Sequence, residues 1–315
     1  MLTQPDTMLI QSLSPYANMM IAYVTLFGGT GLIVCGMNRS KTGQRVAWAG
    51  MVLIIFMMVW INTGYGIRGS AGDSIAFFNG LYDPFYNAGN PSGNVTEHPG
   101  LIPCIETSDG PHNNCAMDIG LGYKLHASWA SNFHHRFTEK VGWVFRTARL
   151  YAHIWMNTTA FLIALVQFDQ KTRSTMMWLH RKLGWAATIL TTGGTLAACW
   201  LGSEHHAEEL YGGSYAMWGW FSMGTCVLGT LWAGIAAVKR KDIASHKKWM
   251  IRWYGSMWGA FLVFRVMFFL GGLLRFHKSL MILIAIWSSA PLGVVIAEWH
   301  RVRSMAYEHE SAKTE

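Results

Sequence analysis

Residues 215–238 read YAMWGWFSMGTCVLGTLWAGIAAV, and Lys239-Arg240-Lys241 follows at once. No charge interrupts those 24 residues. A helix of that length crosses the ~30 Å hydrocarbon core of a bilayer, where a helix satisfies its own backbone hydrogen bonds. Six more segments of the same kind flank this stretch. The predicted spans are 17–37, 46–67, 148–168, 179–201, 215–238, 249–272 and 279–299. The first is too long for the apolar core of a signal peptide and has no basic residue before it, so it is read as a retained span.

The composition agrees. Hydrophobic residues make up 51% and charged residues 13%, about half the ~25% of a soluble domain. A disordered chain and a small disulfide scaffold are excluded, and a water-soluble globular enzyme is disfavoured. The formal charge is +8, which raises the question of a nucleic-acid partner. Its distribution answers that question in the negative. Segments 38–45, 169–182, 239–252 and the tail after residue 299 carry sixteen Lys and Arg. The alternate segments 1–16, 68–147, 202–214 and 271–278 carry seven. This bias orients the chain with its N-terminus outside and its C-terminus in the cytoplasm, and the excess charge serves an anionic leaflet.

The expected fold is therefore all-α, a polytopic integral membrane helix bundle of about seven transmembrane helices embedded in a lipid bilayer. Residues 1–67 supply two spans, 68–147 an extracytoplasmic segment, 148–299 a five-helix core and 300–315 a cytoplasmic tail. The first half of 68–147 is rich in Gly, Pro and Asn and reads as loop. In the second half Leu125, Trp129, Phe133, Phe137, Val141 and Val144 follow helical spacing. That predicts an amphipathic helix, lying at the outer interface or capping the bundle. Cys104 and Cys115 share this segment, and outside the cytoplasm such a pair is expected to form a disulfide. The spacing is not CxxC, so a metal pair is the weaker reading.

Ionisable groups in hydrocarbon are costly and usually face the bundle interior. His153 heads a small and polar stripe, with Asn157, Ala160, Ala164 and Gln167 at helical spacing. His180 opens the fourth span, and Gly184, Thr188, Thr191 and Thr195 continue its face. His180-Arg181-Lys182 and His246-Lys247-Lys248 each lead into a span from the cytoplasmic side, at one depth on parallel helices. Two neutral imidazoles so placed can ligate one haem iron, with Arg181, Lys182 and Arg252 near its propionates. The competing reading is a pair of topogenic basic clusters with interfacial histidines.

On the outer side, Ser203–Glu209 reads as a short loop with His205, His206 and three carboxylates. His126 and His134 lie eight residues apart and would share a helical face. With His153 these form a ligand set suited to copper, zinc or iron, against the alternative of a solvated His-rich surface. Arg265 sits deep in the sixth span and needs a carboxylate, a carbonyl, an anionic ligand or a cavity. Glu204 and Glu208 are acidic candidates on that side, whereas Glu298 is at the wrong end.

His153 with Gln167, His180-Arg181 with Gly184, and His246-Lys247-Lys248-Trp249-Met250 with Arg252 and Arg265 resemble a bacterial family of predicted membrane proteins. It is known as domain of unknown function 2306, and the resemblance covers spans three to seven. It implies a multi-pass protein of the bacterial inner membrane. More distantly, Leu179-His180-x-x-Leu183-Gly184 is similar to helix openings in di-haem ascorbate-dependent cytochromes and ferric-reductase-like transmembrane domains. There the His ligates a b-type haem. Those proteins carry paired His near both membrane faces. The fifth span here has none, so one haem, at His180 and His246, is the most that the pattern accommodates. The first functional expectation is a redox protein that passes electrons between a quinone or cytoplasmic donor and an outer acceptor. The alternatives are an accessory or assembly subunit of a membrane protein complex, and an anion transporter lined by Arg265, Asn157 and Gln167.

Overall fold

Long apolar runs bounded by glycine, proline and charge become helices because hydrocarbon rewards internal backbone bonding. The computed structural model describes residues 15–36, 41–67, 105–106, 115–118, 124–126, 142–168, 170–207, 214–274, 276 and 278–314. Helices α1 (Pro15–Gly36) and α2 (Lys41–Ile67) come first. Three short strands come next, β1 (Ile105–Glu106), β2 (Cys115–Asp118) and β3 (Lys124–His126). Then come α3 (Trp143–Phe168), the short α4 (Gln170–Thr175), α5 (Met177–Ala207) and α6 (Ser214–Lys239). Helix α7 (Ile243–Trp258) runs through a π-helical turn, Gly259–Val263, into α8 (Phe264–Leu273), and α9 (Lys278–Thr314) closes the chain.

Long helices thus stand at all seven expected positions, counting α7 to α8 as one. Among the described residues three are long and apolar enough by themselves to cross a membrane: Ser214–Lys239, Ile243–Leu273 and Leu280–Val302. Shorter apolar stretches lie at Tyr23–Gly36 and Arg45–Val59. Helices α3 and α5 are diluted by their polar stripes, which include His153, Asn157, Gln167, Thr188, Thr191 and Thr195.

The chain forms two compact units, residues 1–70 with 300–315, and residues 71–299. In the first, α1 and α2 form a hairpin. A Cβ on Gly50 would lie 2.6 Å from the Gly29 carbonyl oxygen, so this crossing depends on small residues. In the second, α3 packs on α5, α5 on α6 and α6 on α7. Helix α9 crosses α7 backbone to backbone, since a Cβ on Gly255 would meet the Gly293 carbonyl at 2.7 Å. Trp253, Phe268, Ile282 and Ile286 fill the core beside that crossing. Large apolar side chains such as Trp185, Ile189, Leu196 and Trp200 of α5 stay exposed, as on a surface that lipid solvates.

The outer segment departs from its expected helix. Leu125 and His126 lie on β3, antiparallel to β2, with Leu125 opposite Met117 and His126 opposite Ala116. Strand pairing supplies the backbone partners that a local helix would otherwise provide, and the apolar cross-strand pair supports it. His126 is therefore on a strand and not on the expected helical face. Residues 127–141, His134 among them, lie outside the described residues, and α3 begins only at Trp143. Cys115 is on β2 opposite Glu106, while Cys104 lies outside the described residues.

Candidate functional site

The turn between α6 and α7 sets the first group of residues. Lys241 adopts the left-handed conformation, φ 62°. The Asp242 N–H bonds the Ala237 carbonyl at 3.0 Å and the Lys241 N–H bonds that of Val238 at 3.0 Å. This is a Schellman closure with a lysine where glycine is usual. Asp242 then caps α7, its carboxylate accepting from the Ser245 N–H at 2.9 Å. Those bonds, to the Ser245 side chain and backbone, hold its carboxyl below the usual carboxylate range. The tight reversal folds α7 back along α6, which brings His246 Nδ1 to 2.9 Å from the Gly234 carbonyl. The ring donates there, and its Nε2 lone pair is left pointing away from that carbonyl. Metal-ligating histidines are usually oriented in this way.

His180 stands at the same, basic end of the bundle, on α5. It is close enough to His246 for the two imidazoles to act on each other electrostatically. Its Nδ1 is buried and without a hydrogen-bond partner among the described residues. One turn further, Gly184 faces Gln167 of α3, whose Oε1 is 3.6 Å from where a glycine Cβ would stand. The surrounding cations divide. Arg252 donates to Glu298 at 3.1 Å and lies 4.6 Å over the Trp249 ring, so that one is already engaged. Arg181 is exposed, and exposed Lys182 lies 5.4 Å over the Trp178 ring.

A second polar group lies at mid-bundle. His153 of α3 bonds the Gly194 carbonyl of α5 through Nδ1 at 3.2 Å. Asn157 Nδ2 donates to the His153 carbonyl at 2.9 Å and sits 3.0 Å from Nδ1. Gly194 permits this approach, since a Cβ there would be 2.8 Å from Asn157 Nδ2. Arg265 acts electrostatically on His153. Its Nη1 donates to the Phe261 carbonyl at 2.7 Å, and its guanidinium lies 4.1 Å over the Phe261 ring. The π turn sets this direction. The Phe264 N–H bonds the Gly259 carbonyl five residues back, and the extra residue rotates α8 by roughly 100° relative to an unbroken α-helix.

Residues 150–300 match the family described as Predicted membrane protein (DUF2306). This segment, 151 of the 315 residues, is the DUF2306 match. No curated protein and no solved structure matches the chain. The domain spans α3 to most of α9 and contains His153, His180, His246, Gln167 and Arg265, and its apolar helices make the chain an integral membrane protein.

At the other end of the DUF2306 domain, Ser203–Ala207 is not loop but the last turns of α5. Glu204 explains the extension, because α3 grips it. Arg146 Nε donates to Oε2 at 2.6 Å and Arg149 Nη2 to Oε1 at 2.7 Å. Glu204 is thus committed to these two arginines rather than to Arg265. His205 and His206 share those turns, but their side chains, like Glu208, lie outside the described residues. Among the described residues no group of three or more His, Cys, Asp or Glu converges as a metal site. Sequence reasoning missed the Gly234 and Gly194 carbonyls that orient the imidazoles. Any residue offers a carbonyl, and only the glycine spacing of the facing helix hinted at close approach.

Proposed function

We propose that the DUF2306 domain is an electron-transferring membrane module that holds one b-type haem between His180 and His246. The observation that carries this reading is the paired histidine geometry at one bundle end. One imidazole is pre-oriented by the Gly234 carbonyl and the other has a buried, unpartnered nitrogen. The two sit on α5 and α7, which both flank α6. An iron bound by both would draw on two neutral rings without adding buried charge to either helix. Arg181 and Lys182, exposed and next to His180 in the chain, would serve the propionates, whereas Arg252 would do so only by leaving Glu298. When bound, such a haem supplies a one-electron couple whose potential the axial ligands and local burial set. The chain's own contribution is to fix the orientation of the His246 ring through the Gly234 carbonyl. The Lys and Arg bias supports reading this end as the cytoplasmic one.

The test is a visible spectrum of detergent-purified protein, oxidised and then dithionite-reduced, with metal analysis on the same sample. A reduced α-band of b-haem type is expected. It should disappear in His180→Ala and His246→Ala and persist in Arg252→Gln. A folded, colourless protein without iron overturns the reading. Stoichiometric copper or zinc would move attention to His153, His205 and His206.

A further inference from the structure

Beyond the histidine pair, the DUF2306 domain buries a second set of polar groups that neither imidazole uses. The hydroxyl of Tyr254 and the indole N–H of Trp258 are both buried, and neither makes a hydrogen bond of ordinary geometry among the described residues. They stand one turn apart on α7 with their rings edge to face, centroids 6.0 Å apart. The Trp258 N–H lies near enough to the Tyr254 oxygen for a loose contact, which leaves the Tyr254 hydroxyl proton without an acceptor among the described residues. A donor left unmade inside a protein carries its full desolvation penalty, so this one calls for an acceptor.

Their surroundings restrict what that acceptor is. Phe161 of α3 lies 6.0 Å from Tyr254 and 5.5 Å from Trp258, ring centre to ring centre. Phe168, two turns on, lies 4.9 Å from Tyr254. Tyr254 is half-buried and keeps some accessible surface, so the cluster is not sealed on every side. A buried hydroxyl donor beside an indole N–H, with aromatic walls, suits a carbonyl oxygen borne on a flat ring. A charged headgroup finds no opposite charge among these four residues.

We infer that the Tyr254–Trp258 donor pair, walled by Phe161 and Phe168, is a binding site for the ring carbonyl of a membrane quinone. The choice of a quinone over other carbonyl-bearing lipids rests on the proposed redox function. The existence of the donor pair does not.

The test uses the full chain in detergent, with a short-chain benzoquinone as ligand and an aliphatic alcohol of matching chain length as control. Binding is measured by thermal shift and by equilibrium ultrafiltration, and the reduced visible spectrum is recorded on each sample. The quinone should raise the melting temperature and the alcohol should not. Tyr254→Phe and Trp258→Phe each keep the aromatic character and remove a donor, and each should weaken binding about tenfold. Either variant alone suffices if the other fails to fold. Equal stabilisation by the alcohol, or unchanged binding in both variants, overturns the site. An α-band without quinone binding overturns it while the haem reading stands. Quinone binding lost in the variants of a colourless protein upholds the site and removes the haem.

Discussion

Replacing Glu204 by Gln tests how α3 and α5 are joined. The carboxylate takes a bond from each of two arginines, at 2.6 and 2.7 Å. Arg146 is 9% exposed, Arg149 18% and Glu204 17%. All three are therefore mostly withdrawn from water, and the pairing is not of the screened surface kind. Removing one partner of a buried pair leaves uncompensated charge and costs about 3–5 kcal/mol. The residual exposure lets water relax part of that, so the lower end, ~3 kcal/mol, is expected. For a domain of this size the melting temperature should fall by about 6–12 °C. The assay is thermal unfolding in detergent, with Arg146→Met and the double variant completing a cycle. The cycle should return a coupling of about 1.5–3 kcal/mol, since the partners touch. A Glu204→Gln protein within ~0.5 kcal/mol of the parent, or a cycle without coupling, would refute the clamp.

The same packing makes four more outcomes measurable. Gly293→Ala should destabilise by ~3 kcal/mol or more, because the new Cβ meets the Gly255 carbonyl and Gly259 backbone, which cannot swing aside; loss of monodisperse protein on size exclusion reads this out. Lys241→Gly should stabilise by ~0.5–1 kcal/mol, since glycine adopts φ 62° without a Cβ penalty, and a rise in melting temperature checks it. Asp242→Ala should lower the melting temperature at neutral pH. The folded carboxyl is held below its ordinary range, so its contribution is present above that range and fades as pH falls through the lowered value; melting curves of parent and variant should converge in acid. Glu298→Gln should cost ~1–2 kcal/mol, less than Glu204→Gln, because Arg252 reaches Glu298 by one longer bond of 3.1 Å and the pair is somewhat more exposed, at 21% and 25%; a cost equal to that of Glu204→Gln would contradict the ranking.

Much of the helix pattern was legible because hydrocarbon imposes it. The stretch 215–238 has only one way to satisfy its backbone in a bilayer, and α6 runs Ser214–Lys239. The same holds for α7 to α9, whose apolar runs meet the length requirement outright. Reading 125–144 as one helix failed at its start because side-chain period does not reveal a strand partner, and β2 is one. The loop assigned to Ser203–Glu209 failed for a related reason. Nothing local extends α5, and the cause is two arginines more than fifty residues away on α3.

The candidate site divides in the same way. His153, His180, His246 and Arg265 stood out because an ionisable group in an apolar run is conspicuous one residue at a time. That His246 leans on Gly234, His153 on Gly194 and Arg265 on Phe261 depended on helix crossings and on one π turn. Nothing in the sequence singles out Tyr254 and Trp258 among many aromatics, and only the packed helices show their buried polar atoms without partners among the described residues. The order of amino acids was enough to tell which segments enter the membrane and which residues are out of place there, because transfer from water is set by each side chain's own chemistry. Which of those residues meet was settled only by the packed helices, because hydrogen bonds are short and directional and the partners come from distant turns of separate helices.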